Sequence, residues 1–111
     1  MAEKVFAPVV NLGSVNAIPL GQGRCYVVGG ENLAVFRQRD GRIFASHNRC
    51  PHGKGPLADG LVGGGKVICP MHGRQYCLET GASSAGAESL QVFPVSEVNG
   101  IILMSAESVH A

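Results

Sequence analysis

The chain has 111 residues, of which 45% are hydrophobic and 15% charged, with a formal net charge of +1. That length fits one domain, spanning residues 1–111, with its own apolar core. There is no basic stripe and no set of aromatic side chains to stack on bases, which excludes a nucleic-acid role, and no apolar run approaches the ~20 residues of a membrane span.

The first residues lack a charged segment followed by a long apolar one, so no secretory signal is expected and a cytoplasmic location is predicted. In a reducing compartment the four cysteines are expected to serve metal or cluster ligation before disulfides.

No segment keeps a 3.6-residue apolar period over three turns with caps, so the pattern predicts an all-β chain. Strands are expected at residues 24–28 and 33–37, joined by Gly29-Gly30-Glu31-Asn32, and at 42–47 after a turn around Asp40-Gly41. Residues 60–67 imitate a phosphate-binding Gly-x-x-x-x-Gly-Lys loop. Val67 stands where that loop needs a hydroxyl and no helix pattern follows, so the stretch reads as a hairpin. Short strands at 66–68 and 75–78 flank the stretch 69–72. Residues 81–87 read as a surface loop. Strands at 95–98 and 101–104 flank Asn99-Gly100, a type I′ hairpin signal. The tail 106–111 is expected to be loose. Short strands with frequent turns predict a small antiparallel sandwich or barrel.

Two motifs carry the chemistry: Cys50-Pro51-His52 and Cys69-Pro70-Met71-His72, with 16 residues between His52 and Cys69. Two readings meet the count of two thiolates and two imidazoles. A structural zinc ion takes four such ligands, usually with the cysteines paired in one knuckle and the histidines in another. Here each knuckle is mixed, which suits a two-iron cluster: both thiolates hold one iron and both imidazoles the other. Pro51 and Pro70 stiffen the loops after each ligand cysteine. Gly53, Gly55 and Gly73 let backbone N–H groups approach sulfur, and such hydrogen bonds raise the potential. Pro56, Leu57 and Met71 are candidates to shield the site from water. Both irons of such a cluster are fully ligated, so no position is open for a substrate and no catalytic residue is expected.

These motifs identify the chain as resembling the Rieske [2Fe–2S] family. The stretch NRCPHGKGPLADG at 48–60 and ETG at 79–81 resemble Rieske ferredoxins and the Rieske-type small subunit of assimilatory NAD(P)H nitrite reductase. GQGR at 21–24, LAVFR at 33–37 and DGRIFA at 40–45 resemble the nitrite-reductase subunit slightly more. The resemblance implies three antiparallel sheets with a small cluster-binding subdomain over about 46–80. It implies one [2Fe–2S] cluster on Cys50, His52, Cys69 and His72, with the histidine-bound iron near the surface. It also implies Tyr76 as the tyrosine whose hydroxyl reaches a ligand cysteine sulfur.

The function expected first is electron transfer as the small subunit of an assimilatory nitrite reductase, with a siroheme and flavin large subunit reducing nitrite to ammonia; the alternative is a free Rieske ferredoxin serving a flavin reductase and a terminal ring-hydroxylating oxygenase. Gly55 and Met71 occupy the positions of an extra disulfide in high-potential relatives, and Arg74 stands where those relatives place a serine. A low-potential cluster is therefore expected, toward the lower end of the range of roughly −150 to +300 mV. Outside the motifs, Cys25 and Cys77 are expected to be buried thiols and His47 a surface or packing histidine. Lys54 and Arg74 flank the ligand loops as charges that can steer an acidic partner.

Overall fold

The computed structural model describes residues 9–49, 56–70, 73–83 and 89–105. Its strands are β1 (Val9–Ser14), β2 (Gln22–Val28), β3 (Glu31–Arg37), β4 (Ile43–His47), β5 (Leu61–Gly63), β6 (Lys66–Ile68), β7 (Gln75–Cys77), β8 (Val92–Phe93), β9 (Val95–Val98) and β10 (Ile101–Ser105). Two 3₁₀ turns, Val15–Ala17 and Leu57–Asp59, are the helical segments among the described residues. The strands form three antiparallel sheets, ordered β1-β10-β9, β2-β3-β4-β8 and β5-β6-β7.

Strand β3 explains the layering. Leu33, Ala34, Val35 and Phe36 are all 0% exposed, so this strand is covered on both faces. Alternation sends Leu33 and Val35 into a core with Val15, Ile18, Val28, Ala45, Phe93, Ile102 and Met104. It sends Ala34 and Phe36 into a second core with Leu57, Ala58, Val62, Val67, Cys69, Tyr76, Leu78 and Leu90. The first core joins the central sheet to the sheet of β1, β10 and β9. The second joins it to the three-stranded sheet that carries Cys69. Burying a side chain such as Phe36 contributes about 2–3 kcal/mol.

Three hairpins turn through two residues with positive φ: Gly29 and Gly30 at 60° and 83°, Gly64 and Gly65 at 59° and 76°, Asn99 and Gly100 at 53° and 81°. Type I′ turns require this, and their twist matches that of the strands. The first turn is therefore shorter than the sequence pattern predicts: Glu31 pairs with Val28 and Asn32 with Val27, inside the ladder. The hairpin expected over 60–67 is present as β5 and β6.

Strands β1 and β8 are not legible in the sequence. A bulge between Asn11 and Gly13 interrupts β1, where Gly13 N–H donates to Asn11 Oδ1 at 2.8 Å. Strand β8 is two residues long and is defined by its pairing with Ala45 and Ser46. Residues 81–83 also differ from the expected surface loop. Gly81 is buried, accepts from Leu90 N–H at 2.7 Å and donates to the Cys77 carbonyl at 2.7 Å. Residues 84–88 and the tail 106–111 lie outside the described residues.

Cys25 and Cys77 are free thiols, but neither is buried as expected. Cys25 is exposed because β2 is an edge strand of its sheet. In β7 the alternation turns Tyr76 inward and leaves Cys77 on the outer face, half-buried. His47 fits the packing role: it ends β4, its ring meets Phe93 edge-on at 5.2 Å, and its N–H donates to the Gln91 carbonyl at 3.0 Å. Among the described residues no helix is long and apolar enough to cross a membrane.

Candidate metal centre

Hydrogen bonds tie together the described residues that flank each motif. Residues 50–55 lie outside the described residues; on one side of them stand β4, Asn48 and Arg49, on the other Pro56 and the 3₁₀ turn Leu57–Asp59. Arg49 and Pro56 form an isolated antiparallel bridge. The Asn48 carbonyl accepts from Leu57 N–H at 2.8 Å, and Asn48 Oδ1 accepts from Ala58 N–H at 2.8 Å. Cys69 N–H donates to the Arg74 carbonyl at 2.7 Å, and Gly73 N–H donates to the Cys69 carbonyl at 3.0 Å, with Gly73 at φ 75°.

Of the four ligands read from the sequence, Cys69 is described and Cys50, His52 and His72 lie outside the described residues. So do Gly53, Lys54, Gly55 and Met71. Cys69 is 2% exposed and belongs to the second core, the buried cluster that also holds Leu57 and Tyr76. Of the residues expected to shield the site, Leu57 is buried and Pro56 is exposed. Tyr76 is held centrally, paired with Val67 on one side and bridged to Ser83 on the other. Among the described residues no group of three His, Cys, Asp or Glu side chains is placed to hold a metal ion.

Sequence reading missed three residues that position these loops. Asn48 was visible only as part of the motif's flank. Gly60 lies where an added Cβ would come 2.3 Å from the Ile68 carbonyl oxygen, so its lack of a side chain lets the first loop's exit approach the strand that enters the second. Gln38, 5% exposed, donates from Nε2 to Asp40 Oδ2 at 3.0 Å and accepts at Oε1 from Gly65 N–H. It ties the β3–β4 turn to the β5–β6 turn. The Gly65 carbonyl in turn accepts from Leu78 N–H at 2.8 Å. No signal in the sequence marks a buried glutamine as a bridge between sheets.

Two titrating groups near these turns are shifted. The Cys77 thiol is held below its usual range by the Thr80 hydroxyl, then by the N–H groups of Thr80 and Glu79. The Asp40 carboxyl is lowered by the Arg42 N–H, which it accepts at 3.0 Å, and by the Gln38 amide.

Comparison with known proteins matches this architecture to one family. The model for the Rieske [2Fe-2S] domain matches residues 9–94. The anthranilate 1,2-dioxygenase ferredoxin subunit of Burkholderia cepacia is 33% identical over 102 residues, covering 90% of this chain and 94% of that protein. A crystal structure described as an NADH-dependent nitrite reductase small subunit from Mycobacterium tuberculosis superposes with a TM-score of 0.81 at 23% identity, covering 91% of this chain and 96% of that one. A chain in the complex of reduced oxygenase and oxidized ferredoxin of carbazole 1,9a-dioxygenase superposes with a TM-score of 0.71 at 31% identity, covering 84% of this chain and 97% of that one. Between the zinc and cluster readings, family membership decides for the cluster. The chain belongs to the Rieske [2Fe-2S] domain family, takes one Rieske-type [2Fe–2S] cluster, and has the electron-transfer function of a ferredoxin-like protein.

Proposed function

We propose that Cys50 and Cys69 hold one iron and His52 and His72 the other, and that the chain is a cytoplasmic ferredoxin carrying electrons from a flavin reductase to a terminal oxygenase. The observation that carries the partner assignment is the 33% identity over nearly the full length of both chains to a dioxygenase ferredoxin subunit. The fold likeness to the nitrite-reductase subunit is at 23% identity and speaks for architecture alone.

The residues present fit the cluster. Two thiolates and two imidazoles satisfy its ligand demand, and Cys69 is buried in the same apolar core as Leu57 and Tyr76. The cluster, when bound, accepts and releases a single electron. The chain's own part is to hold the thiolate side dry, to tie together the residues that flank each motif, and to leave Pro56 and Pro70 exposed beside the ligand positions, where a partner can approach. With both irons ligated by the chain, substrate chemistry belongs to the partner, and residues 1–111 act as one electron-carrying domain.

A second reading is the small subunit of an assimilatory nitrite reductase, with a siroheme and flavin large subunit reducing nitrite to ammonia. It is favoured by the segments at 21–24, 33–37 and 40–45. The test begins with anaerobically purified protein. It should be red-brown, with two irons and two sulfides per chain, and should give a reduced EPR signal averaging about 1.9 in g. A midpoint below zero is expected; one well above zero refutes the low-potential reading. Cys69→Ser and His72→Ala should each abolish the signal. Reduction by a separate flavin reductase and reoxidation by an oxygenase supports the ferredoxin, whereas stable co-purification with a siroheme protein supports the nitrite-reductase subunit.

A further inference from the structure

The 3₁₀ turn Leu57–Asp59 begins where the first ligand loop ends. The first N–H groups of a helical turn have no partner within it, and the residue before this turn, Pro56, gives no side-chain cap. Leu57 is 0% and Ala58 9% exposed, so solvent does little for those N–H groups. Asn48, ten residues before Ala58 in the chain, supplies both acceptors: its carbonyl takes Leu57 N–H and its Oδ1 takes Ala58 N–H, each at 2.8 Å. Its own N–H donates to the Asn32 carbonyl on β3 at 3.0 Å. One residue thus ties Leu57 and Ala58, on the far side of residues 50–55 in the chain, to the exposed start of β3 at Asn32.

Around Cys69, the bonds from Cys69 N–H to the Arg74 carbonyl and from Gly73 N–H to the Cys69 carbonyl run between backbone groups. The Ala58 N–H needs a side-chain acceptor at position 48.

We infer that Asn48 is a positioning residue for the cluster: by capping the Leu57–Asp59 turn, it fixes where the segment carrying Cys50 and His52 sits. This rests on the proposed ligand set. Removing the acceptor leaves the Ala58 N–H without a partner and lets the turn move away from position 48. Replacing it with a carboxylate keeps the acceptor and adds negative charge beside the loop, which opposes addition of an electron.

The experiment compares wild type, Asn48→Ala and Asn48→Asp as whole chains purified with their cluster. Three readings are taken: loss of visible absorbance on challenge with an iron chelator, the redox midpoint with the EPR g values, and exchange of the Ala58 amide hydrogen. In Asn48→Ala the cluster should be lost about tenfold faster or more, as for other outer partners of metal ligands, with faster exchange at Ala58. Asn48→Asp should restore slow loss, protected exchange and wild-type g values, while its midpoint falls. A loss of folding alone would not give that rescue with a shifted potential.

Wild-type retention and midpoint in Asn48→Ala, or equally rapid loss in both variants, would overturn the inference. If Asn48→Ala does not fold, Asn48→Asp decides: retention with a lowered midpoint supports the role, and loss refutes it. A wild-type protein without the Rieske EPR signal counts against the ligand set instead, and the Ala58 exchange still judges the cap.

Discussion

Gly60→Ala separates a steric requirement from a conformational one. Gly60 is buried between the Leu57–Asp59 turn and β5, with φ −78°, a value any residue adopts. Alanine at such a position would ordinarily stabilise by about 0.4–1 kcal/mol, because it restricts the unfolded chain. Here its Cβ would stand 2.3 Å from the Ile68 carbonyl oxygen and 3.1 Å from that of Leu57. Both are backbone atoms and neither can swing aside. Ordinary contact at 3.4 Å requires a displacement of about 1.1 Å between the segment leaving the first ligand loop and the strand running into Cys69. Forced repacking of that kind costs about 1–3 kcal/mol. The net expectation is a loss of about 1 kcal/mol, which lowers a urea midpoint by about 0.5–1 M, together with faster cluster loss as the two loops part.

Gly63→Ala is the internal control. Gly63 lies three residues on in β5 with nothing within 4 Å of the added Cβ and no positive φ. It should be neutral or slightly stabilising, with the cluster retained. Urea titration followed by far-UV circular dichroism, with visible absorbance read on the same samples, measures both effects. Equal stability of the two variants would refute the close-approach argument.

Leu57→Ala empties a fully buried position in the core that also holds Cys69 and should cost about 2–5 kcal/mol, with bleaching of the visible spectrum preceding global unfolding. Thr80→Val removes the first of the groups that hold the Cys77 thiol down, so its pKa should rise and its alkylation at a fixed pH near neutrality should slow, read by mass spectrometry against Cys25 in the same molecule; an unchanged rate would count against the hydroxyl's role. For Asp40 the folded pKa is depressed, so its contribution to stability is present above the unfolded value near ~3.9 and is lost as pH falls through the lower folded value. Asp40→Asn should therefore flatten the acid limb of thermal stability below about pH 4, and an acid limb identical to wild type would refute the coupling.

Local patterns carried much of this protein. The mixed Cys-x-His and Cys-x-x-His knuckles, the Asn99-Gly100 turn and the apolar run at 33–36 each reflect chemistry confined to a few neighbouring residues. Ligand chemistry selects residue types, a type I′ turn selects residues that accept positive φ, and a strand covered on both faces loses its alternation. These sufficed for an all-β chain, a cluster site and the hairpins around it. What the tertiary structure alone decided depends on residues far apart in the chain. Strand β8 exists because Ala45 and Ser46 offer it an edge, and β1 because β10 tolerates its bulge. Cys25 is exposed because its strand lies at an edge, a position no local pattern encodes. Asn48 matters through Ala58 and Asn32, Gly60 through Ile68, and Gln38 through Gly65. In each case a side chain, or the absence of one, serves a backbone group that only folding brings within reach, so its role is written in the packing and not in its neighbours along the sequence.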